Sequence, residues 1–108
     1  MEFLKNNYKK LNFWIITGTP TNEILKIIKV LGINMFFNGI YGSPEKKSFW
    51  TEKIIIEHNL NRDETLFIGD APTDYEAALF SSIQFALREA DYNFDYFNKL
   101  DIYRFKHF

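Results

Sequence analysis

Thr65-Leu66-Phe67-Ile68-Gly69-Asp70-Ala71-Pro72-Thr73-Asp74 is the stretch on which the fold turns. Residues 65–68 read as a short buried strand, apolar without alternation. Gly69 stops the strand and Asp70 stands at its carboxyl end. Pro72 suits the first turn of a following helix, where a missing N–H costs nothing. Asp74 comes four residues after Asp70, across the strand-to-helix turn. In open parallel α/β sheets, ligands gather outside the carboxyl ends of the strands. Two acids presented there suit a hard cation such as Mg²⁺, which takes oxygen ligands and keeps several waters. Asp is also a favoured helix cap, so these ten residues alone leave both roles open.

Composition narrows the class. A chain of 108 residues suits one domain, residues 1–108. Aromatic residues make up 19% and Phe dominates them, so large flat side chains should build the core. A formal net charge of −1 points away from nucleic acid and from an anionic membrane surface. The chain has no cysteine, which excludes a disulfide scaffold, a zinc-thiolate site and thiol catalysis, and which suits a cytoplasmic protein. No apolar run approaches the ~20 residues of a membrane span, and Met1-Glu2-Phe3-Leu4-Lys5 lacks a signal-peptide pattern.

Outward from the central stretch, strands and helices alternate. Residues 2–10 suit a short helix with Phe3 and Leu4 on one side. Residues 11–16 form a second continuous apolar run, ending in Thr17-Gly18-Thr19-Pro20. A helix follows, with Thr21 or Asn22 as its cap, Ile24, Leu25, Ile27, Ile28 and Leu31 as its apolar face, and Gly32 at its end. A strand, a hydroxyl-and-glycine turn and a helix N-terminus can bind phosphate, or can simply be a capped turn. Residues 36–41 suit a short strand. Gly42-Ser43-Pro44 then opens a helix over residues 45–59, with Phe49, Trp50, Ile54 and Ile55 on its buried side. Lys47 in the first turn works against the helix dipole, which fits a lysine that answers a phosphate or a carboxylate; most lysines simply face water. His58 and His107 read as surface or structural residues. After Asp74 come a helix ending at Ser81-Ser82, a strand over residues 83–87, a short helix over residues 94–100 and an aromatic, basic tail able to cover a sheet edge.

This order is a doubly wound α/β pattern. Three motifs within it resemble those of haloacid dehalogenase-like hydrolases, most like their phosphoglycolate-phosphatase-like branch. Ile15-Ile16-Thr17-Gly18-Thr19-Pro20 resembles the second motif, a strand ending in a phosphate-binding Ser or Thr. Gly42-Ser43-Pro44-Glu45-Lys46-Lys47 resembles the third, which supplies a lysine, with Lys47 better spaced than Lys46. Gly69-Asp70-Ala71-Pro72-Thr73-Asp74 resembles the fourth, Gly-Asp-x-x-x-Asp, which binds Mg²⁺. The resemblance implies a three-layer, Rossmann-like α/β core with a mostly parallel sheet. It gives phosphate binding to Thr17, Gly18 and Lys47, a catalytic role to Lys47, and the metal to Asp70 and Asp74. Asp74 would act through water or by orienting Lys47.

The family's first motif, Asp-x-Asp, occurs nowhere in the sequence. In the family its first aspartate is the nucleophile and its second the general acid and base. The expectation is therefore a partial core domain, lacking the first strand and the cap domain, inactive alone. The missing strand would leave a gap that is closed by pairing of residues 11–16 with residues 65–68, by a complementary N-terminal chain, or by a second copy. The expected ligand is phosphate or a small phosphorylated molecule. Two other classes stay open: a non-catalytic phosphate-binding or interaction module, and an unrelated small α/β domain such as a receiver-like module.

Overall fold

The protein is described by a computed structural model covering residues 2–7 and 10–106. It comprises two compact units, Met1–Trp50 and Thr51–Phe108.

The first unit holds α1 (Glu2–Asn7), β1 (Trp14–Pro20), α2 (Thr21–Leu31) and β2 (Gly39–Ser43). Helix α1 is described over Glu2–Asn7; residues 8 and 9 of the expected span 2–10, and the side chains of Phe3 and Leu4, lie outside the described residues. Strands β1 and β2 pair in parallel, with Trp14 opposite Gly39, Ile15 opposite Ile40 and Ile16 opposite Tyr41. The apolar stripe of α2 supplies the cover: Ile28 is buried with Ile33 and Phe36, and Ile15, Ile24, Phe37 and Ile40 pack against them. Gly32 ends α2 with φ 70°, in the left-handed region where glycine carries no Cβ penalty.

The start of α2 differs from expectation. Neither Thr21 nor Asn22 caps it; the helix begins directly after Pro20 with no side-chain cap. The Thr21 hydroxyl instead accepts from the Gly42 N–H at 3.0 Å and donates to the Ser43 carbonyl at 3.4 Å. A cap is a local choice, and here the end of β2 competes for the hydroxyl and wins.

Helix α3 (Lys47–Glu57) begins later than residue 45, and Pro44 lies in the turn before it rather than in the first helical turn. Ile54 and Ile55 are buried as expected, but Phe49 is exposed and meets Trp50 edge-on at 5.1 Å. Trp50 stacks on Tyr41 at 4.5 Å and donates its indole N–H to the Gly42 carbonyl at 2.9 Å.

The second unit contains β3 (Leu66–Gly69), α4 (Pro72–Phe80), β4 (Gln84–Arg88), α5 (Phe94–Phe97) and β5 (Tyr103–Phe105). The strand order is β3-β4-β5, parallel throughout, with Phe67 opposite Phe85 and Leu87 opposite Arg104. The aromatic tail thus covers the edge of β4, and His107 lies outside the described residues. Within the first unit β1 has β2 as its ladder partner, and within the second β3 has β4. Ala77 and Ala78 of α4 are buried, which lets the helix lie close on its sheet.

A polar knot braces this unit. Arg62 forks onto both carboxylate oxygens of Glu52 at 2.8 and 2.9 Å and donates to the Ser81 carbonyl, while the Ser81 hydroxyl donates to Glu52 at 2.9 Å. Donation by Arg62 and Ser81 holds the Glu52 carboxyl below its ordinary value of 4.5. A group depressed on folding stabilises above its unfolded pKa and loses that contribution as pH falls through the folded one. The stability gap between the wild type and Glu52→Gln should therefore be full at neutral pH and shrink below about pH 4.5. Thermal melts of both proteins across that range check it; a gap independent of pH would contradict it.

Candidate functional site

The loop after β3 is fixed atom by atom. The buried Asp74 side chain, 5% exposed, turns back from the first turn of α4. Its Oδ2 accepts from the backbone N–H groups of Asp70 and Ala71, each at 3.1 Å. An acid in the first turn of a helix also complements the helix dipole. Gly69 makes room for it: a Cβ at residue 69 would stand 2.5 Å from Asp74 Cβ and Cγ. Gly69 thus ends the strand where the sequence placed the stop, for a steric reason the sequence did not disclose.

Two further residues hold Asp70 from the turn after β4. Asn93, 4% exposed, donates its amide N–H groups to the carbonyls of Asp70 and Arg88, both at 2.9 Å. Its Oδ1 accepts from the Ala90 N–H at 3.0 Å, so every polar position of the amide is used. The Tyr92 hydroxyl donates to Asp70 Oδ2. That bond to a carboxylate raises the phenol above its ordinary value of 10.0, with burial and the Asp70 charge adding to the shift. Neither residue was singled out from sequence. The bond from Asn93 to Ala90 is of the local kind that Asn makes in turns, but the bonds to Asp70 span 22 and 23 residues.

In the first unit, Thr17 and Gly18 lie within a bulge. Ile16 pairs with Tyr41 and Pro20 with Ser43, so Thr17, Gly18 and Thr19 together oppose Gly42 alone. Bulges re-aim side chains and often stand beside functional sites. Thr17 Oγ1 accepts from the Thr19 N–H at 3.2 Å, which leaves the hydroxyl its own O–H to donate to an anion. Gly42 permits the bulge, since a Cβ there would fall on the Thr19 carbonyl oxygen and within 2.9 Å of the Thr21 nitrogen. Lys47 is the first residue of α3 and follows the end of β2, beside which β1 also ends.

Asp70 and Asp74 are thus brought together, with Asp74 directed at the backbone of Asp70. Thr17, Gly18 and Lys47 belong to the end of the β1–β2 sheet. Among the described residues no three His, Cys, Asp or Glu side chains form a metal-binding group. Mg²⁺ does not need such a cage, because it is commonly held by one or two carboxylates, a substrate phosphate and water. Asp70 fits that demand: a half-buried carboxylate at a strand end, its carbonyl and amide both fastened. Asp74 fits it less well as a direct ligand, because Oδ2 is already engaged by two N–H groups.

Comparison with known proteins gives a consistent result. The sequence profile of the haloacid dehalogenase-like hydrolases matches residues 1–87. Comparison with functionally curated proteins gives no match. Among solved structures, a haloacid dehalogenase-like family hydrolase from Streptococcus pneumoniae is similar with TM-score 0.79 and 23% identity, over 97% of this chain and 53% of that one. A candidate phosphoglycolate phosphatase from Lactobacillus delbrueckii subsp. bulgaricus is similar with TM-score 0.75 and 15% identity, over 94% of this chain and 46% of that one. The core domain of another candidate phosphoglycolate phosphatase from Streptococcus pneumoniae has TM-score 0.75 and 24% identity, over 98% of this chain and 77% of the other. The chain spans about half the length of the first two.

Proposed function

The chain belongs to the haloacid dehalogenase-like hydrolase family, and from that premise we propose that it supplies the phosphate- and cation-handling residues of a phosphatase acting on small phosphate monoesters. The observation that carries this function is the Asp70 loop. A strand ends at a glycine and hands over an acid whose backbone is fastened by Asp74 and Asn93.

Phosphoryl transfer is mostly positioning and charge neutralisation. The Thr17 hydroxyl and the Gly18 N–H donate to the oxygens of the transferred group. Lys47 offsets their negative charge. Asp70 would hold Mg²⁺, which when bound would neutralise charge on the phosphate. Asp74 keeps the Asp70 loop in place.

No Asp-x-Asp stands in the 108 residues, so the nucleophile comes from a complementary segment that bears it. The strand next to Asp70 is suited to such a partner. Among the described residues β3 has β4 as its one ladder partner. An open strand edge is a template for another strand. A second copy of the chain is the other candidate for covering it.

The test is Mg²⁺-dependent hydrolysis of p-nitrophenyl phosphate by the full chain, with and without an added Asp-x-Asp-bearing segment. Turnover should require the segment and fall on the order of 100-fold in Asp70→Asn. The same missing motif favours a second function, a phosphate-binding module without turnover. Phosphate binding that Thr17→Val abolishes, with no hydrolysis in any mixture, would establish that one instead.

A further inference from the structure

Tyr92 is 70% exposed, yet its hydroxyl is committed to Asp70 Oδ2. An exposed tyrosine gains little from one such bond, because water would serve its hydroxyl as well. The carboxylate gains more. An Asp side chain has two torsions, and backbone fastening through Asn93 and Asp74 fixes neither. Without a donor on one oxygen, the carboxylate is free to turn to other rotamers. With the hydroxyl on Oδ2, its orientation is set and the second oxygen remains to meet a cation. Groups that hydrogen-bond a metal-binding carboxylate orient it, and losing them typically costs 10- to 100-fold in metal affinity.

Tyr92 is anchored for this task. It sits in the one-turn segment Asp91–Asn93, whose last residue is tied to both Asp70 and Arg88. The next residues form α5, whose Phe97 is wholly buried. The phenol therefore reaches Asp70 from a fastened backbone, despite the exposure of its ring.

We infer that Tyr92 is a positioning residue for Asp70, holding its carboxylate in the rotamer that receives a divalent cation. This rests on Asp70 being the cation ligand, and the experiment separates the two. Mn²⁺ binding, followed by electron paramagnetic resonance, and the Asp70 side-chain torsion, from three-bond carboxyl-carbon couplings in NMR, are measured on the wild type, Tyr92→Phe and Asp70→Asn. The variant Tyr92→Phe keeps the ring and removes the donor. It should bind Mn²⁺ about 10- to 100-fold more weakly, and its Asp70 couplings should move from a single rotamer toward an average. Wild-type affinity in Tyr92→Phe, or a single rotamer retained there, overturns the role of Tyr92. Wild-type affinity in Asp70→Asn overturns Asp70 as the ligand, and the couplings then still decide what Tyr92 does to its rotamer.

Discussion

Phe97→Ala should lower the stability of the chain by about 3–5 kcal/mol, the usual cost of truncating a fully buried Phe. Phe97 is 0% exposed, although it lies on a four-residue helix. It stacks on Phe85 of β4 with ring centroids 6.0 Å apart, and Tyr75 of α4 meets it edge-on at 5.9 Å. Tyr96 closes on it at 4.7 Å. One ring thus joins a strand and two helices of the second unit. The surroundings have little means to collapse into the space it would leave. Such a short helix has no stability of its own; it is held by Phe97 and by the Arg104 guanidinium, which donates to the Phe97 and Leu100 carbonyls. Total stability for a domain of this size is about 5–15 kcal/mol, so the loss removes a large part of it. Urea denaturation checks the value. The effect should reach the candidate site, because α5 follows directly on Asn93, which clamps Asp70. A loss below about 1 kcal/mol would mean that the aromatic cluster does not organise this unit.

What was legible in the sequence was local. The run from Thr65 to Asp74 contains its own strand, stop and helix start, so β3, α4 and the position of Asp70 follow from chain order alone. The continuous apolar run at Trp14 to Ile16 and the end of α2 at Gly32 are of the same kind. What was not legible came from other elements. Thr21 looked like a cap because a cap is the nearest use for its hydroxyl, but β2 offered a better one. The bulge over Thr17 to Thr19 depends on which residue of β2 stands opposite, and Gly42 cannot be identified as that residue before the register is known. Phe49 looked buried by spacing, yet it is exposed and its ring meets Trp50 edge-on. Tyr92 and Asn93 lie beyond the next strand, and nothing in their own neighbourhood points back to Asp70.

Asp74→Ala should cost about 2–4 kcal/mol, while Asp70→Asn should cost far less. The two acids sit in one motif and look equivalent in sequence, but their surroundings differ. Asp74 is buried, and its Oδ2 is the acceptor for two backbone N–H groups. Removing it leaves both donors without that partner and takes an acid from the first turn of α4. Hydrogen bonds to a charged acceptor contribute roughly 1.5–3 kcal/mol each, and loss of an N-terminal capping side chain about 0.5–2; the contributions overlap, so the sum falls short of the maximum. Asp74→Asn keeps a carbonyl oxygen for the two donors and should recover part of the loss. Asp70 has the opposite balance. Its backbone is held by others, and its side chain takes a bond from an exposed phenol, so an amide there disturbs little of the fold. Thermal melts of the three variants, paired with Mn²⁺ binding, separate the roles. Asp74→Ala should lose stability first and cation affinity through the slackened loop, whereas Asp70→Asn should lose affinity at nearly wild-type stability. A stable Asp74→Ala that binds no cation would make Asp74 a ligand in its own right, as the family resemblance allowed.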